Sequence, residues 1–105
     1  MPAKLYILIR TDIPLGDQGA QMCHATAEWC KRWQCRSGTE WDNETIVIVS
    51  VKDLPHLVLL QRKMEHKFVD YTIFCEPDLQ GQMTSIACWM NSNIFSNLPL
   101  WPEKA

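Results

Sequence analysis

The sequence predicts a small α/β domain in which helices pack on both faces of a mixed four-stranded sheet. Two observations lead to this prediction. Candidate elements follow one another in the order strand, helix, strand, helix, strand, strand, which is typical of α/β architectures. Two of the strand candidates, KLYILIR and TIVIVSV, are continuous apolar runs of the kind found in strands covered on both faces. We expect residues 1–105 to form this single domain.

The first strand and helix are predicted from the N-terminal third of the chain. Lys4 to Arg10 is expected to be a central strand, and the turn that follows contains Pro14 and Gly16. Asp17 is expected to cap a helix that ends near Gly38. A helical wheel places these residues on the half that faces the sheet: Trp29, Met22, Trp33, Thr26, Cys30, Cys23, Ala27 and Ala20. It places Gln21, Glu28 and Arg32 on the opposite half, with His24 at its edge.

The remaining elements follow the same logic. Thr45 to Val51 is the second buried strand, joined to the first by a right-handed crossover if the usual rule holds. Asp53 is expected to cap a second helix, with Pro55 in its first turn. The predicted buried face of that helix consists of Leu57, Leu60, Met64 and Phe68. The last two strand candidates are Tyr71 to Cys75 and Thr84 to Met90.

Composition and charge limit the class of protein. The formal net charge of −2 lacks the basic balance of many nucleic-acid binders, although local patches matter more than the total. The five cysteines include no Cys-x-x-Cys pair, and their odd number in a chain that opens without an export signal predicts reduced thiols in the cytoplasm. No apolar run approaches the roughly 20 residues that cross a bilayer. A homodimer through Trp41 or Trp101 is left open.

The decapeptide GDQGAQMCHA, residues 16–25, allows four interpretations: a phosphate-binding loop, a Cys/His nucleophile pair, half of a metal site, or the polar start of an ordinary helix. The lysine and hydroxyl residue of a P-loop are missing, although free N–H groups at a helix start still attract anions. Cys23 and His24 diverge by about 100 degrees on a helix, which disfavours a nucleophile and base pair. The same divergence disfavours zinc bound by Cys23, His24 and Cys30, so no metal is expected.

A second polar stretch lies between the last two strands. Glu76 and Asp78 flank Pro77 at the end of a strand, where sites on open α/β sheets tend to lie. Two carboxylates this close can differ in proton affinity and leave one as a base. Solvated turn acids are an equally good interpretation of the local pattern. Thr84 opens the final strand, which is an ordinary place for threonine.

Together, KLYILIRTDIPLGDQGAQMCHA and EPDLQGQMTSIA resemble the two signature regions of the type II peptidyl-tRNA hydrolases, particularly their short bacterial and phage-type relatives. The first region carries the family's Arg-x-Asp, its turn glycine and its Ala-Gln-x-x-His-Ala segment at Arg10, Asp12, Gly16, Ala20, Gln21, His24 and Ala25. The second resembles the family's Thr-x-Leu/Ile-Ala segment at Thr84, Ile86 and Ala87. The resemblance extends over nearly the whole chain.

This resemblance implies hydrolysis of the ester that joins a peptide to the 3′-terminal ribose of tRNA, without a metal or organic cofactor. Catalysis would fall to Gln21 as a positioning or oxyanion-binding group, to Glu76 or Asp78 as the acid, and to Thr84 in the pocket wall. Asp12 would brace the turn, and Gln18 and His24 would contact the substrate. The tRNA would meet the basic helix ends at Lys31, Arg32, Arg36, Arg62, Lys63 and Lys67.

The chain departs from the family pattern at two places. Where the family brings lysines just before the Ala-Gln pair, this shorter turn has Asp17 and Gln18. The family's Asp loop before the last strand is also shortened, so that Glu76 or Asp78 stands in for it. These departures keep a second function open, in which the same fold is a non-catalytic module that binds tRNA or a protein.

Overall fold

The computed structural model describes residues 3–34 and 41–105. In chain order the elements are β1 (Lys4–Arg10), α1 (Leu15–Trp33), β2 (Ile46–Val51), α2 (Leu54–His66), β3 (Asp70–Glu76), a single 3₁₀ turn (Pro77–Leu79) and β4 (Gln82–Met90). The predicted order of elements is therefore confirmed. No helix in the described part of the chain combines the length and apolar character needed to span a bilayer.

The four strands form one mixed sheet in the order β2-β1-β4-β3. β1 runs parallel to β2 and antiparallel to β4, and β3 runs antiparallel to β4. β1 lies inside the sheet, where Ile7 pairs with Ile48 on one side and Ala87 on the other. A strand in this position is covered on both faces, which explains the continuous apolar run of its sequence.

The helices pack on opposite faces of the sheet, as predicted. Because side chains alternate along β1, Ile7 and Leu8 point to different faces. The α1 face contains Leu5, Ile7, Ile9, Met22, Ala25, Trp29, Trp41 and Ala87. The α2 face contains Leu8, Val49, Val51, Leu57, Leu60, Met64, Met83, Ile86, Cys88, Met90 and Phe95. Each helix thus buries one stripe of its surface against the sheet.

Helix α1 differs from its prediction in both its start and its orientation. It begins at Leu15 after Pro14, no side chain caps it, and Asp17 lies in its first turn instead of at the N-cap. It ends at Trp33, while the predicted end at Gly38 lies outside the described residues. The buried face consists of Gln18, Gln21, Met22, Ala25 and Trp29, whereas Cys23, Ala20 and Ala27 are exposed. The wheel was wrong here because it assigned Gln21 to the solvent side, and both glutamines have hydrogen-bond partners that permit their burial.

Helix α2 begins as predicted and ends differently. Asp53 caps it by accepting a hydrogen bond from the backbone N–H of His56, and Pro55 lies in the first turn. Phe68 does not extend the buried face: it lies beyond the helix with φ +56° and is 93% exposed. The N–H groups of Phe68 and Val69 donate back to the carbonyls of Glu65 and Met64, which is the Schellman arrangement of a helix end. Phenylalanine thus occupies a position that usually favours glycine.

The C-terminal tail covers part of the outer edge of the sheet. Leu100 bridges to Val49 of β2, and backbone hydrogen bonds join Pro99 to Ser50 and Trp101 to Ile48. Trp41 and Trp101, the two candidate dimer contacts, both make contacts within the chain. Trp41 is buried with 8% of its surface exposed, and Trp101 is half-buried against α1. Trp41 is therefore not an exposed surface residue.

Candidate active site

Polar side chains meet at one edge of the sheet, which we call the site edge. The ends of β1, β2 and β3 and the start of β4 lie at this edge, because β1, β2 and β3 run in one direction and β4 in the other. The turn after β1 leads there into the N-terminus of α1. Residues from both predicted polar stretches are therefore brought together, although they are far apart in sequence.

Gln21 is the centre of the site edge. Its amide nitrogen donates to Oε1 of Glu76 over 3.0 Å, and its amide oxygen accepts a hydrogen bond of 2.7 Å from the hydroxyl of Thr84. Gln21 is only 3% exposed and Thr84 is fully buried, whereas Glu76 is half-buried at the end of β3. The geometry thus orients one amide by two partners and leaves the carboxylate in contact with solvent.

The two loop acids occupy different environments. Glu76 is the last residue of β3, after an irregularity in pairing between Phe74 and Cys75, and it faces α1. Asp78 lies on the 3₁₀ turn, where it is exposed and takes no part in the hydrogen bonds around Gln21. Of the two, only Glu76 is joined to Gln21.

Asp12 lies in the turn after β1 and forms an ion pair with Arg10. Two hydrogen bonds of 2.9 Å join the guanidinium of Arg10 to the carboxylate, and the same guanidinium donates to Gln82 Oε1 and to the carbonyl of Met83. The hydrogen bonds from Arg10 lower the pKa of Asp12 below its usual value, against the partial burial that raises it. Arg10 and Asp12 thus fix the turn after β1 to the start of β4.

Gln18 lies one turn before Gln21 and supports the start of α1. Its amide nitrogen donates to the carbonyl of Ile13 over 2.7 Å, and its amide oxygen accepts a hydrogen bond of 2.7 Å from the indole N–H of Trp101. At 4% exposed, Gln18 has little contact with solvent. The structure therefore places it under the turn, with both ends of its amide already bonded.

His24 lies on the exposed side of α1, one turn after Gln21. Its ring is stacked on that of Phe74, with the ring centroids 4.4 Å apart and the planes inclined by 12°. Cys23 points away from this pair and from the core and is exposed. The expectation that Cys23 faces the core was wrong, for the same reason as the orientation of the helix.

Two residues at the site edge were missed by the sequence reasoning. Phe74 precedes Glu76 by two positions in β3, so the alternation of side chains along a strand could have placed both on the α1 side. Trp101 offers no such signal, because its contact with Gln18 depends on where the tail crosses the sheet edge. Within residues 3–34 and 41–105, no group of three or more His, Cys, Asp or Glu side chains could hold a metal ion.

Comparison with known proteins shows the family of the chain. The model of the peptidyl-tRNA hydrolase family PTH2 matches residues 3–90, which include every element from β1 to β4. The chain belongs to the PTH2 family. The family match ends where the C-terminal tail begins, so Trp101 lies outside it.

Two further comparisons bear on this PTH2 family member. No curated protein matches it. A solved structure of a protein of unknown function from Agrobacterium tumefaciens strain C58 superimposes with a TM-score of 0.72 at 9% sequence identity, over 95% of this chain and 98% of that one. At this identity the likeness shows a shared fold.

Proposed function

We propose that this PTH2 family member hydrolyses the ester between a peptide, or an N-blocked aminoacyl group, and the 3′-terminal ribose of tRNA. The observation that supports it most directly is the placement of Gln21 between Thr84 and Glu76 at the site edge. Family membership supplies the substrate class. Because translation supplies that substrate, we place the reaction in the cytoplasm.

In the proposed reaction Glu76 is the general base and then the general acid. Its carboxylate takes a proton from a water molecule, whose oxygen attacks the ester carbonyl carbon. When the tetrahedral intermediate collapses, the bond to the ribose oxygen breaks and that oxygen takes the proton from Glu76. The products are a peptide with a free carboxyl group and a tRNA with a free 3′ hydroxyl, and Glu76 is restored.

Gln21 is assigned to the developing oxyanion. One hydrogen of its amide nitrogen is used by Glu76, and we assign the second to the negatively charged oxygen of the intermediate. Thr84 is a positioning residue, because its hydroxyl donates to the amide oxygen and so turns the amide nitrogen toward Glu76. A prealigned donor of this kind needs little rearrangement when charge develops in the transition state.

The N-terminus of α1 provides the remaining proposed contact with the substrate. No side chain caps this helix, so the backbone N–H groups of its first turn are available to a phosphate of the tRNA acceptor end. Asp12 and Gln18 hold this turn in place, and His24 lies one helical turn after Gln21, stacked on Phe74 of β3. Asp78 is left without a role in the proposed chemistry.

The experiment measures release of the acyl group from N-blocked aminoacyl-tRNA without added metal. Glu76→Gln and Gln21→Met should each lower kcat by about 10²-fold or more, since each removes a group that acts in the transition state. Glu44→Gln changes an exposed acid outside the site edge and is the matched control, with full activity expected. Folding of each variant is checked by its urea unfolding curve. Full activity of Glu76→Gln would remove this residue from the mechanism.

A non-catalytic binding module is the second candidate function. It is favoured by the absence of lysine between Pro14 and Gln21 and by the formal net charge of −2, which leave few cations near the α1 N-terminus. In that case wild-type protein would bind tRNA and release no acyl group. Affinity for tRNA that falls steeply between low and moderate salt would indicate several phosphate contacts. Little binding at any salt would point to a partner other than tRNA.

A further inference from the structure

The pair formed by His24 and Phe74 presents a flat aromatic surface to solvent. The two rings are nearly parallel, with centroids 4.4 Å apart. Phe74 is half-buried and packs against the core on the α1 face, whereas His24 is exposed. Phe74 therefore supports one face of the imidazole, and the ring stands at the surface.

The imidazole of His24 makes few interactions within the fold. No hydrogen bond of the described residues ends on its ring nitrogens, in contrast to His56, whose Nδ1 accepts from the backbone N–H of Lys52. An apolar side chain such as leucine would be enough to cover Phe74, and it would not require a polar ring to lose part of its hydration. An exposed planar ring such as the imidazole of His24 offers a face on which another planar group can stack.

The position of this surface relative to the site edge is defined by two elements. His24 is three residues after Gln21, so it lies about one helical turn, or about 5 Å, along α1. Phe74 is two residues before Glu76 on β3, a distance of about 7 Å along the strand. The aromatic pair and the Gln21–Glu76 pair are thus consecutive contacts between α1 and β3.

We propose that His24, supported by Phe74, stacks on the adenine of the 3′-terminal adenosine of tRNA. This inference rests on the proposed function, which places the ester at Gln21 and Glu76. The ester and the adenine are attached to the same ribose, so a bound ester brings the base within a few bonds of the reacting carbon. A base that lies next to the Gln21–Glu76 pair, on the side of His24, meets the aromatic surface. Stacking on an aromatic side chain does not depend on the sequence of the neighbouring nucleotides, which suits an enzyme acting on many tRNAs.

The first test is binding of the trinucleotide CCA, which carries no ester, followed by NMR. Stacking should shift the imidazole C–H signals of His24 upfield, and a CCA analogue without the terminal base should lose that shift. His24→Leu should weaken CCA binding about tenfold, while His24→Tyr, which keeps a planar ring, should bind like wild type. His66→Leu on the exposed side of α2 is the matched control.

The outcomes separate this inference from the proposed function. CCA binding that is absent, or that is equal in wild type and His24→Leu, would overturn the stacking surface even if the protein hydrolyses peptidyl-tRNA. The expected upfield shift in a protein that releases no acyl group would support the surface and contradict the hydrolase. If both hold, His24→Leu should raise KM for N-blocked aminoacyl-tRNA about tenfold and change kcat by less than about twofold.

Discussion

Thr84 and Gln21 are separated by 63 positions in sequence, and a buried hydrogen bond of 2.7 Å joins them. The hydroxyl of Thr84 donates this hydrogen bond, so the oxygen of the Gln21 amide is fixed toward β4 and its nitrogen toward Glu76. This bond is both part of the core and the orienting contact of the site edge. Its loss should therefore affect stability and activity together.

Thr84→Val tests that bond at nearly constant shape. The variant leaves the amide oxygen of Gln21 buried without a donor, which should lower the free energy of unfolding by about 1–3 kcal/mol. Release of N-blocked aminoacyl groups should fall as well. Thr84→Ser, which keeps the hydroxyl, should recover most of the activity, and Thr26→Val, which removes a bond within α1, is the control. Equal activity of the Val and Ser variants would exclude a positioning role for the hydroxyl.

Asp12→Asn should change the response of stability to acid. The pKa of Asp12 is lowered in the folded protein, chiefly by hydrogen bonds from Arg10. Its ion pair therefore stabilises the fold above the ordinary aspartate pKa of about 4, and this stabilisation is lost as pH falls through the lowered folded-state value. Because the carboxylate is partly exposed, we expect only about 0.5–1 kcal/mol at pH 7. The urea unfolding curves of wild type and Asp12→Asn should converge as pH falls below the lowered pKa of Asp12, whereas Glu103→Gln should follow wild type throughout.

Trp101 and Gln18 should be energetically coupled. Trp101→Phe removes the indole donor and leaves the amide oxygen of Gln18 unpaired, and Gln18→Met removes the acceptor. A double-mutant cycle on the free energy of unfolding should give a coupling of about 1 kcal/mol. Additive effects of the two changes would show that the tail does not support the start of α1 through this bond.

Phe68→Gly should stabilise the protein. Phe68 adopts φ +56° at the end of α2, where an L-residue is disfavoured and glycine is the usual choice. Its side chain is 93% exposed, so its removal sacrifices little burial. We expect a gain on the order of 1 kcal/mol in unfolding free energy, reduced by the greater chain entropy of glycine. Leu59→Gly, at an exposed position inside the same helix, should instead destabilise.

The cysteines should differ sharply in reactivity. Cys23 and Cys75 are exposed, whereas Cys88 is fully buried in β4, where desolvation raises the pKa of its thiol. Iodoacetamide should label Cys23 and Cys75 in the native protein and modify Cys88 on the order of 10²-fold more slowly, until urea is added. Cys23→Ser should retain full hydrolytic activity. Rapid native labelling of Cys88 would contradict the described packing of β4.

The sequence by itself determined the element order and the character of β1. A continuous apolar run predicts a strand covered on both faces, and Lys4–Arg10 is such a strand at the observed boundaries. Asp53 and Pro55 likewise predict the start of α2, because a cap depends on residues a few positions away. Periodicity and capping are local properties, so they can be read from neighbouring residues.

Only the tertiary structure decided which polar residues are buried and what they contact. Hydropathy assigned Gln21 to solvent, yet Thr84 and Glu76 satisfy both ends of its amide in a buried position. The sequence pattern also could not show which of Glu76 and Asp78 contacts Gln21, because that depends on how far β3 extends. The free energy of burying a polar side chain depends on partners distant in sequence, and these are brought within hydrogen-bond distance only when the sheet assembles.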